Sequence, residues 1–330
     1  MACPCRQSSA VAGSVEAAGL TGRPPAGNLK SMRRIIFAAC VSASLTVRAG
    51  AQTVPGRDLL DFPVGTLAEA PTLSTHMAGG HWNPAAAMLP PGSRGRLSVA
   101  ALDASAEQAV SSQMLAAALA VPGDLTAALS VVRASVEDLR RTDTDPQTIG
   151  GDLQYSAMVV SAAVARRVAQ YLTAGLAARY RSGVSAGIRE SVIGMDGGLM
   201  AEGLPFRDAR IGVSSHLWRP GSHGRDRATF SAAGDVRTAG RGPLREVRAG
   251  YGYAYAERET FEHYLFASAR QGPLEGRGGA VRLVRHGEGE WRLRLGVGVH
   301  RGRYVVGVAR DESGAGLAPT YQFTLSTRIP

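Results

Sequence analysis

The sequence predicts an all-β protein: an antiparallel transmembrane β-barrel of about fourteen strands with an N-terminal hatch-like segment. Three observations carry the prediction. The last forty residues hold two stretches in strict two-residue alternation, WRLRLGVGV at 291–299 and YQFTLSTRI at 321–329. A segment near the start has the layout of an export signal. Between them runs a long series of short apolar segments separated by turn residues.

Taken in chain order, residues 1–31 show no periodicity and are rich in small residues, Pro and Gly, which suits an upstream extension from a mis-called start codon. From Met32 the chain changes character. Arg33 and Arg34 precede an apolar run at 35–47, and Ala49, Gly50 and Ala51 precede Gln52, so charged, apolar and small-residue parts follow in the order of a secretory signal. Cleavage before Cys40 as a lipoprotein would leave only about five apolar residues ahead of the cut, short of the roughly 7 to 15 of an export signal. The expected mature protein begins near Gln52.

Residues 52–94 are irregular. Pro55, Pro63, Pro71, Pro84, Pro90 and Pro91 interrupt any long helix or central strand, so this segment is expected to pack against or inside the main domain. The barrel is expected over 95–330. Candidate strands fall near 96–104, 111–121, 125–136, 153–165, 171–180, 191–201, 209–218, 227–236, 246–255, 262–269, 280–285, 291–300, 304–309 and 320–329. Pro122-Gly123-Asp124, Thr144-Asp145-Pro146, Arg241-Gly242-Pro243 and Ser313-Gly314 are among the turns that separate them.

Alternation places Trp291, Leu293, Leu295, Val297 and Val299 on one face, with Arg292 and Arg294 on the other. Tyr321, Phe323, Leu325 and Ile329 likewise oppose Gln322, Thr324 and Ser326, while Ile211, Val213 and Leu217 oppose Gly212, Ser214 and His216. A soluble β-sandwich with its apolar face in a core uses the same pattern as a barrel with that face in lipid. The export signal, the cysteine-free stretch from 41 onward and the alternating C-terminal strand favour the membrane and an outer-membrane location. A lipid-facing arginine at mid-depth costs about 2–4 kcal/mol, so Arg292 and Arg294 are expected in the lumen or at an interface.

Composition narrows the function. No run approaches the roughly 18 apolar residues of a spanning helix. The net charge of +10 rests on arginines, with Lys30 the lone lysine, and these are scattered along strands and turns. Such scatter argues against a nucleic-acid footprint. Cys3, Cys5 and Cys40 all precede the expected mature region, which removes a disulfide framework and a thiolate metal site from it.

MAGGHWNPA at 77–85, ahead of the first candidate strand, resembles the glycine-rich Asn-Pro-Ala segment of the PorV/PorQ-type outer-membrane barrels, relatives of the FadL fatty-acid channel. TAGLAARY at 173–180, MDGGL at 195–199 and ARIGV at 209–213 resemble that family's run of strand, Asp-x-Gly-Leu strand and following strand. The resemblance implies a barrel of about fourteen strands with a luminal hatch. It implies a non-enzymatic role, either passage of small or hydrophobic molecules or an accessory part in secretion or the envelope. Its partners would be the lipid bilayer, the barrel-insertion machinery, and a hydrophobic small molecule or a secretion-system protein. The motif residues Asn83, Pro84, Ala85, Asp196 and Gly197 are expected to serve structure: an Asn-Pro turn holding the hatch and a tight bend or close-packed luminal position.

Catalytic and metal chemistry find little support. Gly183, Ser185 and Gly187 match the spacing of an esterase nucleophile elbow, but hairpin signals surround them where a strand-to-helix turn is needed. A barrel-embedded hydrolase using Ser185 and a secreted β-sandwich binding a partner are the alternative functions. His76, His81, His216, His223, His263, His286 and His300 lack paired ligand spacing, and Asp143, Asp145 and Asp152 lack the Gly and distal Glu of a calcium loop. No cofactor is expected.

Overall fold

A computed structural model of the chain describes residues 54–330, apart from 78, 105–108, 138, 143–148, 220–227, 239–245, 257–259, 286–287 and 313–318. The expected export segment and the three cysteines lie outside the described residues, as do Asp143, Asp145, His223 and His286.

The strands are β1 (Gly95–Asp103), β2 (Val110–Val121), β3 (Leu125–Val136), β4 (Arg140–Thr142), β5 (Ile149–Asp152), β6 (Tyr155–Arg167), β7 (Leu172–Ser185) and β8 (Ile188–Leu204). They continue with β9 (Ala209–Trp218), β10 (Thr229–Thr238), β11 (Glu246–Ala256), β12 (Thr260–Gln271), β13 (Leu274–Arg285), β14 (Glu288–Arg301), β15 (Tyr304–Asp311) and β16 (Thr320–Ile329). All but β4 and β5 join one closed antiparallel barrel of fourteen strands. β1 closes it against β16, from Gly95↔Ile329 to Asp103↔Tyr321, so no sheet edge is left open to lipid. β4 and β5 pair only with each other in the connection from β3 to β6, a hairpin that alternation does not predict.

Each barrel strand coincides with an expected segment, and the differences lie at strand ends. β13 begins at Leu274, ahead of the expected 280, and pairs through Glu275↔Gly298 and Arg277↔Gly296. Those residues carry charges and glycines with no apolar alternation. Their strand is imposed by neighbouring backbones, a cause invisible to side-chain periodicity.

The outside is apolar. On β14 Trp291, Leu293, Leu295 and Val297 are 55–58% exposed while Arg294 is 6% exposed, the sidedness expected of a lipid-facing wall. Tyr321, Phe323 and Leu325 of β16 face out, and Gln322, Thr324 and Ser326 are buried inside. Leu217 departs from expectation. Ile211 and Val213 face out, but Leu217 is buried, with φ 55. Register explains it: Met195 pairs with Trp218 and Gly197 with Ser215, so β9 holds one extra residue there. That β-bulge turns Leu217 inward beside His216.

The inward wall is rich in small residues, among them Ser98, Ala116, Ala118, Ser130, Ala163, Ala165 and Ala177. Residues 54–94 fill the space they leave. This plug holds three short 3₁₀ helices, Asp58–Asp61, Pro71–Leu73 and Pro84–Ala87, as its prolines allow. Its Leu60, Val64, Met77 and Leu89 pack against Leu102, Met114, Val132 and Val159 of the wall, while Ala70 and Leu73 pack against Ala233, Ala254 and Val281. The hydrophobic core therefore lies inside the barrel, between plug and wall.

Candidate functional site in the barrel lumen

Asn83 is wholly buried and caps the helix Pro84–Ala87: its Oδ1 accepts from the Ala85 amide at 3.0 Å. Its Nδ2 donates to the Thr72 carbonyl at 3.0 Å, within the plug, and to the Leu199 carbonyl at 3.3 Å, on β8. One side chain thus folds the plug and ties it to the wall. The wall reciprocates with glycine: a Cβ on Gly198 would overlap Asn83 Oδ1, and one on Gly175 would overlap the Pro84-Ala85 backbone. Gly197, next along β8, has no such close neighbour in the plug.

Asp196 is buried on β8 opposite the bulge. Its carboxylate accepts from the Leu217 amide at 2.7 Å and from His216 Nδ1 at 3.1 Å, and it forms an ion pair with Arg179 of β7. Arg179 in turn donates to the His81 carbonyl and to His81 Nδ1, the latter at 3.0 Å. Because a guanidinium only donates, His81 Nδ1 is the acceptor and the imidazole is neutral. Burial first, then the Arg179 guanidinium, holds the His81 imidazole well below its ordinary value of 6.5. Bulge, wall and plug meet in this cluster.

A second tie holds the plug at Glu69. Glu69 accepts from Arg210 of β9 at 2.7 Å and from Arg277 of β13 at 3.2 Å. Arg210 also bonds Asp235 of β10 through Nε at 3.1 Å. A buried carboxylate shared by two guanidiniums couples plug position to three strands, and removing one partner leaves an uncompensated charge.

Plug and wall do not fill the lumen everywhere. A cavity of about 500 Å³ remains, with Phe62, Pro71 and Trp82 of the plug on one side and Ala233, Ala254, Tyr264 and Leu283 of β10–β13 on the other. Its size is that of a small-molecule site. Polar groups reach it from His216, Arg292, Arg294 and Asp311; Arg294 Nε bonds Asp311 Oδ2 at 2.7 Å and its guanidinium lies 5.5 Å from the Tyr264 ring centre. The wall beside it is thin. On the outer surface, Gly197, Gly198, Leu199, Val213, Phe230, Tyr255 and Phe261 line a groove, and Ser231, Ala232 and Tyr253 border both groove and cavity.

Of the sequence-predicted residues, Asn83, Pro84, Ala85 and Asp196 come together at the plug–wall contact, and Gly197 lies in the outer groove. The cavity residues Trp82, Tyr264, Arg294 and Asp311 carried no functional expectation beyond a luminal place for Arg294. Only cross-strand register brings the last two together, since Arg294 pairs with Asp311 across β14 and β15. Ser185 ends β7 directly before the two-residue turn Ala186-Gly187, both at positive φ, and β8 follows at once. No strand-to-helix elbow exists there. Among the described residues no cluster of His, Cys, Asp and Glu is arranged to hold a metal ion.

A closed fourteen-stranded barrel with an apolar exterior and a core inside its lumen is an outer-membrane β-barrel. No family model matches the chain, and no curated protein matches it. Among solved structures, the chain is similar to the toluene transporter TbuX of Ralstonia pickettii, with a TM-score of 0.55 and 14% identity over 81% of this chain and 98% of that one. The likeness is one of fold. OprB of Pseudomonas putida superposes with a TM-score of 0.39 at 7% identity, over 71% of this chain and 91% of its own. A triple mutant of the Rhodopseudomonas blastica porin gives 0.38 at 8% identity, over 71% and 98%.

Proposed function

We propose that this barrel passes small hydrophobic molecules across the outer membrane, through the luminal cavity and out sideways through the wall by the groove that shares Ser231, Ala232 and Tyr253 with it. The observation that carries this reading is the pairing of a cavity inside, whose plug side is built of Phe62, Pro71 and Trp82, with an apolar groove outside, the two sharing the wall residues Ser231, Ala232 and Tyr253. An axial water-filled pore does not suit such cargo, and a plug along the axis suits a lateral exit. The fold shared with a toluene transporter supports the same reading.

Within this reading the Asn-Pro-Ala and Asp-x-Gly-Leu stretches support a protein of the PorV/PorQ type. Residues 32–51 serve as the export signal, residues 1–31 lie outside the mature protein, and β16 is the strand offered to the insertion machinery. A second role, as an accessory to secretion, is favoured by the extent to which residues 54–94 occupy the lumen.

The test is uptake of N-phenyl-1-naphthylamine, an apolar fluorophore, by Gram-negative cells that express the protein. Expression raises uptake, and Ala232→Trp, which fills the border between groove and cavity, returns it to the level of cells without the protein. Equal uptake by both forms, with both still showing the gel shift of a folded barrel, refutes the lateral passage and leaves the accessory role.

A further inference from the structure

The luminal cavity bears polar groups that passage of a hydrocarbon does not require. His216 Nε2, Arg292 Nε, Arg294 Nη1 and Asp311 Oδ1 are all buried, all belong to residues lining the cavity, and none has a hydrogen-bond partner in the protein. Buried polar atoms are normally paired, because an unpaired one forfeits its hydration without return. Arg294 Nη1 is a donor and Asp311 Oδ1 an acceptor, and the ion pair through Arg294 Nε and Asp311 Oδ2 holds the two residues side by side. Such a pair is matched by one group that both accepts and donates.

The charges around the cavity decide which group that is. Its lining includes the carboxylates of Asp58, Asp61, Glu262, Glu290, Asp311 and Glu312 against the guanidiniums of Arg292 and Arg294. Each guanidinium already faces an acid: Arg294 bonds Asp311 through Nε, and Arg292 lies 3.9 Å from Glu290 with its own Nε unpartnered. Arg57 and Arg310, which do not line the cavity themselves, pair with the lining acids Asp61 and Glu312. Asp58 and Glu262 instead take tyrosine hydroxyls, from Tyr155 at 2.7 Å and from Tyr264. A carboxylate entering the cavity thus meets six lining carboxylates against two guanidiniums, each of which already faces an acid.

We infer that the cavity selects uncharged amphiphiles, an apolar body carrying a hydroxyl, and rejects the corresponding carboxylates. The hydroxyl oxygen accepts from Arg294 Nη1 while its proton goes to Asp311 Oδ1, and the apolar body lies among Phe62, Trp82, Ala233 and Ala254. This inference rests on the proposed passage of small hydrophobic molecules and narrows their class.

Trp82 makes the inference measurable. The chain has three tryptophans, and Trp218 and Trp291 lie on the lipid side at 44% and 55% exposure. In the double variant Trp218→Phe/Trp291→Phe, the remaining fluorescence comes from the cavity. The full chain, refolded in detergent and verified by its gel shift, is titrated at pH 7.5 with 4-bromobenzyl alcohol and with 4-bromobenzoate, whose bromine quenches Trp82 on contact. The expected result is saturable quenching by the alcohol at a concentration at least tenfold lower than by the benzoate. Adding Glu262→Gln, which removes one of the six lining acids and leaves the Arg294–Asp311 ion pair in place, narrows that ratio.

Saturable quenching with equal or stronger binding of the benzoate overturns the selectivity and leaves the passage reading standing. So does a ratio that Glu262→Gln leaves unchanged, since it takes away the charge argument. Quenching by neither probe beyond that of free tryptophan overturns both, and assigns the four unpaired atoms to water.

Discussion

Asn83 shows how much and how little a single residue discloses. That an Asn before Pro starts a short helix follows from local chemistry, since its side chain reaches the amide two residues on. That its amide also bonds Leu199, 116 positions away, follows only from the closed barrel. His81 gives this scale its prediction. Its imidazole stays neutral when docked because burial and Arg179 disfavour the cation, whereas a released plug returns it to its ordinary value of 6.5. The released state therefore binds more protons below pH 6.5. Docking is at full strength above that pH and weakens as the pH falls below it, by up to about 1.4 kcal/mol per pH unit. His76 of the plug, depressed by burial and Arg277, adds to the effect with the same sign. Recordings in planar bilayers should show openings more frequent at pH 5 than at pH 8, with a smaller pH response in His81→Gln; frequency independent of pH contradicts this assignment.

At the scale of elements, the two-residue period located all fourteen barrel strands, because lipid on one side and a packed lumen on the other impose opposite demands on successive side chains. It failed where other forces act. Leu217 looks lipid-facing by period, and only the bulge, capped by the Asp196 carboxylate on the Leu217 amide, turns it inward. Likewise the charged start of β13 has no period but is carried by β14. Glycines in strands were visible in the sequence, while their purpose needed the plug beside them. Gly198→Val keeps a good strand former on β8 but drives a side chain into Asn83. Loss of the three Asn83 hydrogen bonds, at about 1 kcal/mol each, should raise the open population of the barrel roughly 100-fold. The gel shift of the folded barrel should persist. Unchanged openings in a folded Gly198→Val protein would contradict the close fit of plug and wall.

At the scale of the whole molecule, the barrel and its filling are one structure. A wall of alanine, serine and glycine leaves a lumen that its own side chains do not fill, and residues 54–94 supply the missing core. The prolines of that segment implied only that it packs against or inside the main domain, and the resemblance to the PorV/PorQ-type barrels supplied the expectation of a luminal hatch. The cavity was not legible. It is a remainder, set by where plug and wall fail to meet, and its residues come from the plug and from strands scattered between β9 and β16.

The most direct test of this account is the single-channel conductance of the intact protein beside a form lacking residues 54–94, both verified as folded by gel shift. The intact protein should show only brief and infrequent openings, and the shortened one a sustained conductance through an emptied lumen. Equal conductance in the two, whether both open or both closed, would mean that residues 54–94 do not plug this barrel.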